Sequence, residues 1–82
     1  MRYQIEFKPR AVKDLNALPR AVRRRIMAKI EALQDDLAGD VKKLTNYSPE
    51  YRMRAGSYRV LFDLQNTTVT IYRVLHRKDA YQ

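Results

Sequence analysis

Residues 51–76 read YRMRAGSYRVLFDLQNTTVTIYRVLH, and this stretch decides the fold. Apolar and polar residues alternate along it with a period of two, which is typical of half-buried strands. Gly56-Ser57 and Asn66-Thr67 interrupt the alternation. A glycine at the first central position of a two-residue loop favours a type II′ hairpin turn. The stretch therefore predicts a three-stranded antiparallel meander.

The residues before the meander predict one strand and a helical hairpin. Residues 2–7 alternate, with Tyr3, Ile5 and Phe7 on one side. Pro9 can begin a helix because its missing N–H is not needed in the first turn, and Pro19 separates this helix from a second one. Across residues 9–38 apolar residues recur at helical spacing, and Gly39 is placed to end the second helix. These apolar residues are Ala11, Val12, Leu15, Leu18, Val22, Ile26, Ile30, Leu33 and Leu37.

The element order predicts an α+β fold in which both helices pack on one face of an antiparallel sheet. The length of 82 residues predicts a single domain, 1–82. Seventeen Lys and Arg against nine Asp and Glu give a net charge of +8, which indicates a nucleic acid or an acidic protein as partner.

The composition also indicates where the protein works and what it does not need. The chain has no cysteine and one histidine, which excludes disulfides and argues against a zinc site. No apolar run is long enough for a transmembrane segment or a signal peptide. We therefore expect a cytoplasmic protein that has no membrane contact and requires no metal or other cofactor.

The face of the meander that points away from the helices carries the candidate site. If Gly56-Ser57 forms the turn, Arg54 lies opposite Arg59, and Arg52 shares their face. Like charges opposite one another in a sheet are unfavourable, whereas guanidinium groups bind phosphate through paired hydrogen bonds. The pattern therefore predicts an anion-binding face, although exposed arginines on a sheet can also be simply solvated.

The same register, carried through Asn66-Thr67, pairs residue 59 with 74 and residue 61 with 72. It places Tyr72 on the arginine-bearing face, His76 and Arg77 at its rim, and Arg73 on the helix side. Aromatic rings interleaved with arginines suit RNA, because rings stack on bases. The basic residues of the second helix fit a solvated surface better than a binding site; they are Arg20, Arg23, Arg24, Arg25 and Lys29.

The segment YRMRAGSYRVLF at 51–62, followed by RVLHRKDAY at 73–81, resembles the RelE toxins of the RelE/ParE superfamily. Lys42-Lys43-Leu44 and the basic helical hairpin fit the same resemblance. It implies a toxin of a type II toxin–antitoxin system that enters the A site of the 70S ribosome, cleaves the bound mRNA and inhibits translation. It also implies an acidic RelB-like antitoxin that neutralises the toxin and represses the operon in complex with it.

The resemblance also implies a metal-independent reaction, in which a 2′-OH attacks the adjacent phosphate, and it suggests residue roles. The family's basic sheet positions fall on Arg52, Arg54 and Arg59, its C-terminal arginine on Arg77 and its C-terminal tyrosine on Tyr81. We expect a further set of residues to bind nucleic acid: Lys42, Lys43, Tyr72 and Lys78.

The general base is left open by the sequence. Related toxins carry lysines where this chain has Arg52 and Arg54, and an arginine does not release its proton in proteins. His76 has the intrinsic chemistry of a base near neutral pH, and Asp40 is a weaker candidate. Catalysis can also rest on substrate positioning and electrostatics.

Two other functions are compatible with the same residues. The ParE branch of the superfamily shares the fold but inhibits DNA gyrase by protein–protein contact. A non-catalytic RNA-binding module would use the basic face only to follow phosphates. The basic ending with a tyrosine at residues 77–81 favours the RelE branch.

Overall fold

The computed structural model describes residues 2–80, in which two helices pack against a five-stranded sheet. The elements are β1 (Gln4–Phe7), α1 (Pro9–Asn16), α2 (Arg20–Ala32), β2 (Asp40–Lys43), β3 (Tyr51–Ala55), β4 (Tyr58–Gln65) and β5 (Thr68–His76). The strand order is β1-β5-β4-β3-β2, and only the β1–β5 pair is parallel. The predicted α+β architecture is confirmed, with one strand more than expected. Over the described part of the chain, the helices are too short or too polar to cross a bilayer.

The second helix is shorter than its apolar pattern predicts. It ends at Ala32, and Asp36 and Leu37 both have positive φ angles, 55° and 57°. The chain therefore turns before it reaches Gly39, and the predicted helix end at Gly39 is wrong. The residues after this turn form β2, which the sequence analysis missed because a strand of only four residues at a sheet edge carries little alternation.

The core lies between the helices and the sheet, as the alternation predicts. Ile26, Ile30 and Leu33 come from the α2 region, and Phe62 and Ile71 come from the sheet; all five are almost completely buried. Val12 is the exception among the predicted core residues, because it remains 43% exposed. Burial of this one face provides most of the apolar stabilisation available to a domain of this size.

The β3–β4 hairpin has the predicted register, with Arg54 opposite Arg59. The predicted β4–β5 register holds from the Asn66-Thr67 turn as far as the pair Phe62 and Ile71. A bulge between residues 61 and 62 then leaves Tyr72 as an extra residue. Arg59 consequently pairs with residue 75 and Leu61 with residue 73, so the predicted pairs 59–74 and 61–72 are wrong. A one-residue shift moves every later side chain of β5 to the other face.

Candidate nucleic-acid interface

Arg52, Arg54 and Arg59 lie on the sheet face opposite the helices, and we call this surface the arginine face. Arg54 and Arg59 are direct neighbours across β3 and β4, and Lys42 lies opposite Arg52 across β2 and β3. The residues that alternate with the arginines are buried core residues such as Met53. The guanidinium groups therefore point away from the core, as the sequence predicts.

Arg52 differs from the other two arginines because it is buried. It is only 6% exposed, and its Nη1 lies 3.4 Å from Oδ1 and 3.5 Å from the main-chain oxygen of Asp40. Arg54 Nη1 lies 3.8 Å from Oδ2 of the same carboxylate, and the Arg54 side chain is 57% exposed. A buried charge needs a partner, so Asp40 compensates Arg52 while Arg54 remains open to solvent.

The guanidinium of Arg59 is held by the β3–β4 turn. Its Nη1 donates to the carbonyl oxygens of Gly56 and Tyr58, each at 2.9 Å. Within residues 2–80 no carboxylate pairs with Arg59. The turn therefore fixes the orientation of Arg59 and leaves its charge available to an anion. Gly56 has a φ of 62°, in agreement with the predicted type II′ turn.

A second, smaller apolar cluster covers part of the sheet beyond the arginines. Leu61 is 4% exposed and Ala80 is 2% exposed, although Leu61 points away from the helices. The segments 44–50 and 77–80 meet above them, where the Tyr47 hydroxyl donates to the Ala80 carbonyl at 3.4 Å. The sequence analysis did not predict that segments 44–50 and 77–80 bury this part of the sheet. The available signal was Leu61, an apolar residue on a face that was predicted to be exposed to solvent.

His76 does not join the arginine face, because the bulge moves it to the helix side. It pairs with Tyr58, which packs against the core, and the two ring centroids are 5.4 Å apart in an edge-to-face arrangement. Its Nδ1 accepts a hydrogen bond from the Lys78 N–H at 3.2 Å. The neutral ring then carries its proton on Nε2 and offers a donor rather than an acceptor. The predicted rim position of His76 is therefore wrong.

Tyr72 is placed differently from the prediction, and Lys43 does not share the arginine face. Tyr72 is the extra residue of the bulge, and the Lys8 ammonium lies 5.4 Å from the centre of its ring. Lys43 pairs with Tyr51, whose ring stacks on core residue Phe62. Lys43 therefore lies on the helix side of β2, and only Lys42 of the two lysines shares the arginine face.

The residues after β5 begin at the edge of the arginine face. The Arg77 main-chain N–H donates to the Ser57 carbonyl at 2.8 Å, which holds Arg77 beside the β3–β4 turn. The side chains of Arg77 and Lys78 are exposed. Tyr81, which the family resemblance assigns to the site, lies outside the described residues.

Arg73 pairs with Leu61, whose side chain points away from the helices, so its predicted position on the helix side is wrong, although its guanidinium reaches Asp14 of α1. Its Nε and Nη2 donate to Asp14 at 2.7 and 3.1 Å. Asp14 Oδ2 also accepts from the Val74 N–H at 3.0 Å, at a part of β5 that β1 does not reach. Burial raises the pKa of Asp14, but the hydrogen bonds from Arg73 and Val74 outweigh it and lower the pKa below its ordinary value of 3.8.

The arrangement offers cationic hydrogen-bond donors rather than a metal centre. Two partly exposed guanidinium groups lie side by side, and such groups bind the oxygens of a phosphate well. Across residues 2–80 no cluster of three or more His, Asp or Glu side chains is positioned to hold a metal ion. The chemistry available on this face is therefore the stabilisation of negative charge.

Comparisons with known proteins identify one family. A family model described as the ParE toxin of the type II toxin–antitoxin system parDE matches residues 5–81. Toxin RelE3 of Methanocaldococcus jannaschii is 39% identical over 95% of this chain and 94% of its own length.

Two solved structures show the same fold. A chain of the RelB-RelE antitoxin–toxin complex from Methanococcus jannaschii has a TM-score of 0.76 at 38% identity, over 93% of this chain and 94% of that one. A chain of the toxin–antitoxin complex RelBE2 from Mycobacterium tuberculosis has a TM-score of 0.80 at 28% identity, over 94% of this chain and all of that one.

Proposed function

Because this chain belongs to the RelE/ParE superfamily of toxins from type II toxin–antitoxin systems, we propose that it is a ribosome-dependent mRNA endoribonuclease. The observation that carries the proposal is the direct pairing of Arg54 and Arg59 on the arginine face. Two like charges side by side cost stability unless an anion binds between them. The 39% identity to Toxin RelE3 supports the RelE branch.

In the proposed reaction the 2′-OH of the A-site nucleotide attacks the adjacent phosphorus. The bond to the 5′-oxygen of the next nucleotide breaks and this oxygen takes a proton from solvent, which leaves a 2′,3′-cyclic phosphate and a 5′-OH. Negative charge accumulates on the phosphorane, and Arg54 and Arg59 supply the donors that stabilise it. Because the β3–β4 turn already holds Arg59, this charge stabilisation requires little reorganisation.

The proton of the 2′-OH needs an acceptor on the same face. Asp40 lies directly across from Arg54, whereas His76 lies on the other side of the sheet and its Nδ1 already accepts a hydrogen bond. We therefore assign the acceptor role to Asp40 and assign Arg52 the role of holding Asp40. Most of the rate comes from positioning and charge stabilisation.

The proposed partners are polyanions and an acidic protein. The net charge of +8 suits mRNA and the ribosome, and we propose that the protein acts in the cytoplasm. Both solved structures described above are antitoxin–toxin complexes, one of RelB with RelE and the other RelBE2. We propose that an acidic RelB-like antitoxin binds this chain in the same way and represses the operon as a complex.

A ParE-like inhibitor of DNA gyrase is the second candidate, because the family model that matches is named for ParE. This candidate acts through protein–protein contact and needs no paired donors for a phosphorane. Adjacent, partly exposed arginines and the identity to Toxin RelE3 make it the weaker of the two.

Primer extension on mRNA in a translating extract distinguishes the candidates. Cleavage within the A-site codon supports the endoribonuclease, provided that the Arg54→Ala/Arg59→Ala variant abolishes it. The Arg20→Ala/Arg24→Ala variant removes the same charge from the exposed side of α2 and is the matched control. Intact mRNA together with gyrase-dependent DNA breaks would instead support the ParE-like function. If neither mRNA cleavage nor DNA breaks are observed, the remaining candidate is a non-catalytic RNA-binding module.

A further inference from the structure

Asp14 of α1 accepts three hydrogen bonds from β5 directly after the bulge. Its Oδ2 accepts from Arg73 Nε at 2.7 Å and from the Val74 N–H at 3.0 Å, and its Oδ1 accepts from Arg73 Nη2 at 3.1 Å. The Asp14 side chain is only 13% exposed. Tyr72, the extra residue of the bulge, immediately precedes the two donor residues. One nearly buried carboxylate therefore holds the two residues at which β5 resumes its pairing with β4.

The carboxylate is needed at this place because β1 does not reach it. The parallel pairing of β1 with β5 ends at Ile71, opposite Phe7, so β1 supplies no acceptor for the Val74 N–H. A main-chain N–H that is buried without a partner costs free energy, and Asp14 Oδ2 is the atom that removes this cost. Asp14 thus substitutes for a strand where β5 changes register.

The bulge decides on which face of the sheet Arg77 lies. Beyond the bulge Arg59 pairs with Leu75, and alternate residues of a strand share a face. The Arg77 N–H continues this ladder by donating to the Ser57 carbonyl at 2.8 Å, so Arg77 follows Leu75 onto the arginine face. Without the extra residue, Arg59 would pair with residue 74, and Arg77 would point toward the helices.

We propose that Asp14 is a positioning residue of this toxin: it stabilises the bulge in β5 and thereby holds Arg77 beside Arg59. The inference rests on the proposed nuclease function, in which Arg77 belongs to the site by family resemblance. Asp14 acts through Arg73 and Val74 and takes no part in the chemistry, because α1 lies on the helix side of the sheet.

Burial around the bulge indicates what a change at Asp14 does. Val74 is 3% exposed and belongs to the main core, so core packing still favours the same register when the carboxylate is replaced. The residues that follow β5 have weaker anchors, because residues 77–79 are exposed. Loss of Asp14 therefore loosens this segment without unfolding the sheet, and a displacement of about 1 Å at a reacting group can cost about 10² in rate.

The test uses two substitutions of Asp14 and one control. Asp14→Asn keeps an oxygen that can accept from the Val74 N–H but loses the charge, and Asp14→Leu removes the acceptor as well. Ile30→Val shortens a buried side chain of α2 and controls for a general loss of stability. Each variant is assayed at a temperature at which circular dichroism shows it to be folded, and Asp14→Asn alone is sufficient if Asp14→Leu does not fold.

Single-turnover cleavage on mRNA-programmed ribosomes, over a range of toxin concentrations, separates the maximal rate from the concentration at half-saturation. We expect Asp14→Asn to lower the maximal rate about tenfold and Asp14→Leu about a hundredfold. Half-saturation should not change, because the exposed cations that attract RNA are retained, and Ile30→Val should cleave like wild type. If Asp14→Asn cleaves like Ile30→Val, or changes half-saturation alone, the proposal is wrong.

A double-mutant cycle with Arg77→Ala distinguishes positioning from a purely structural role. If Asp14 acts through Arg77, adding Asp14→Asn to the Arg77→Ala variant should slow cleavage by less than about twofold. Independent losses that multiply would show that Asp14 only stabilises the fold, against the proposal.

Hydrogen exchange keeps this inference separate from the proposed function, because the measurement requires no RNA. The Arg77 N–H should exchange at least about tenfold faster in Asp14→Asn than in Ile30→Val, relative to the amides of β3 in the same sample. Unchanged exchange would overturn the proposal even if cleavage falls. Faster exchange in a protein whose wild type cleaves no mRNA would refute the nuclease and leave Asp14 as the residue that holds Arg77.

Discussion

The three arginines of the arginine face carry the same charge but have different surroundings. Arg52 is buried against Asp40, Arg54 extends into solvent, and Arg59 is held by turn carbonyls. Only the last two can contact a phosphate without rearrangement. Sequence spacing identified the shared face, because alternation fixes which side chains point together, but it could not show that a neighbouring strand supplies Asp40 to one of them.

Replacing Asp40 tests the assignment of the proton acceptor. We expect Asp40→Asn to slow single-turnover cleavage by about tenfold to a hundredfold, at or below the low end of general-base effects, because positioning and charge stabilisation supply most of the proposed rate. His76→Gln is the comparison and should slow cleavage less. If His76→Gln slows cleavage more than Asp40→Asn does, His76 and not Asp40 is the proton acceptor.

Asp14 gives the protein a pH-dependent component of stability. Its pKa is lower in the folded protein than its ordinary value of 3.8, so its contribution is complete above that value and is lost as pH falls through the lower folded value. We expect Asp14→Asn to reduce the free energy of unfolding by about 1–3 kcal/mol near neutral pH. The gap to wild type should narrow as the pH falls below 3.8 and through the lower folded pKa.

Thermal melts of wild type and Asp14→Asn between neutral and acidic pH measure this gap. Asp35→Asn removes an exposed carboxylate paired with Arg2 and is the control, for which little change at any pH is expected. A gap for Asp14→Asn that stays constant down to the lowest pH would contradict the role of its charge.

At the scale of elements, α2 and the β3–β4 hairpin followed from the sequence, because a long apolar stripe and a glycine turn leave few alternatives. The bulge in β5 did not. It arises where β1 stops pairing and Asp14 of α1 takes over as acceptor for the Val74 N–H. A side chain of a distant helix that accepts the hydrogen bond of a strand N–H leaves no local signal in the sequence. The bulge shifts the register by one residue, and this shift moved Tyr72, Arg73 and His76 from their predicted faces.

The packing of α2 predicts the effect of a core truncation. Ile30 is fully buried in the main core, so Ile30→Ala should lower the free energy of unfolding by about 2–5 kcal/mol. Against a usual total of about 5–15 kcal/mol, this change can unfold the free protein. Urea denaturation measures it, with the exposed Glu31→Ala on the same helix as control; equal effects would show that the buried side of α2 is misassigned.

At the scale of the whole molecule, charge dominates the surface. A net charge of +8 on 82 residues creates a field that attracts polyanions and acidic proteins and is screened over about 8–10 Å near physiological salt. The amino-acid composition alone was sufficient to predict this high positive charge. The same field acts over the whole surface, including the arginine face, so fast association is expected for both proposed classes of partner.

Salt dependence of antitoxin association tests this steering. The association rate constant, measured by stopped-flow fluorescence, should fall about tenfold or more between low and high salt. The dissociation rate constant should change less, because contacts at short range are screened less. An association rate constant that is independent of salt would contradict electrostatic recruitment.

Single-turnover cleavage on mRNA-programmed ribosomes by Arg59→Ala and Arg24→Ala tests the central claim most directly. Both variants lose one positive charge, but only Arg59 lies on the arginine face, opposite Arg54. We expect Arg59→Ala to slow cleavage about 10²–10³-fold, the usual cost of one preorganised donor to a charged transition state, with Arg24→Ala close to wild type. Equal, modest slowing by both variants would contradict the account, because the arginine face would then attract RNA without taking part in its cleavage.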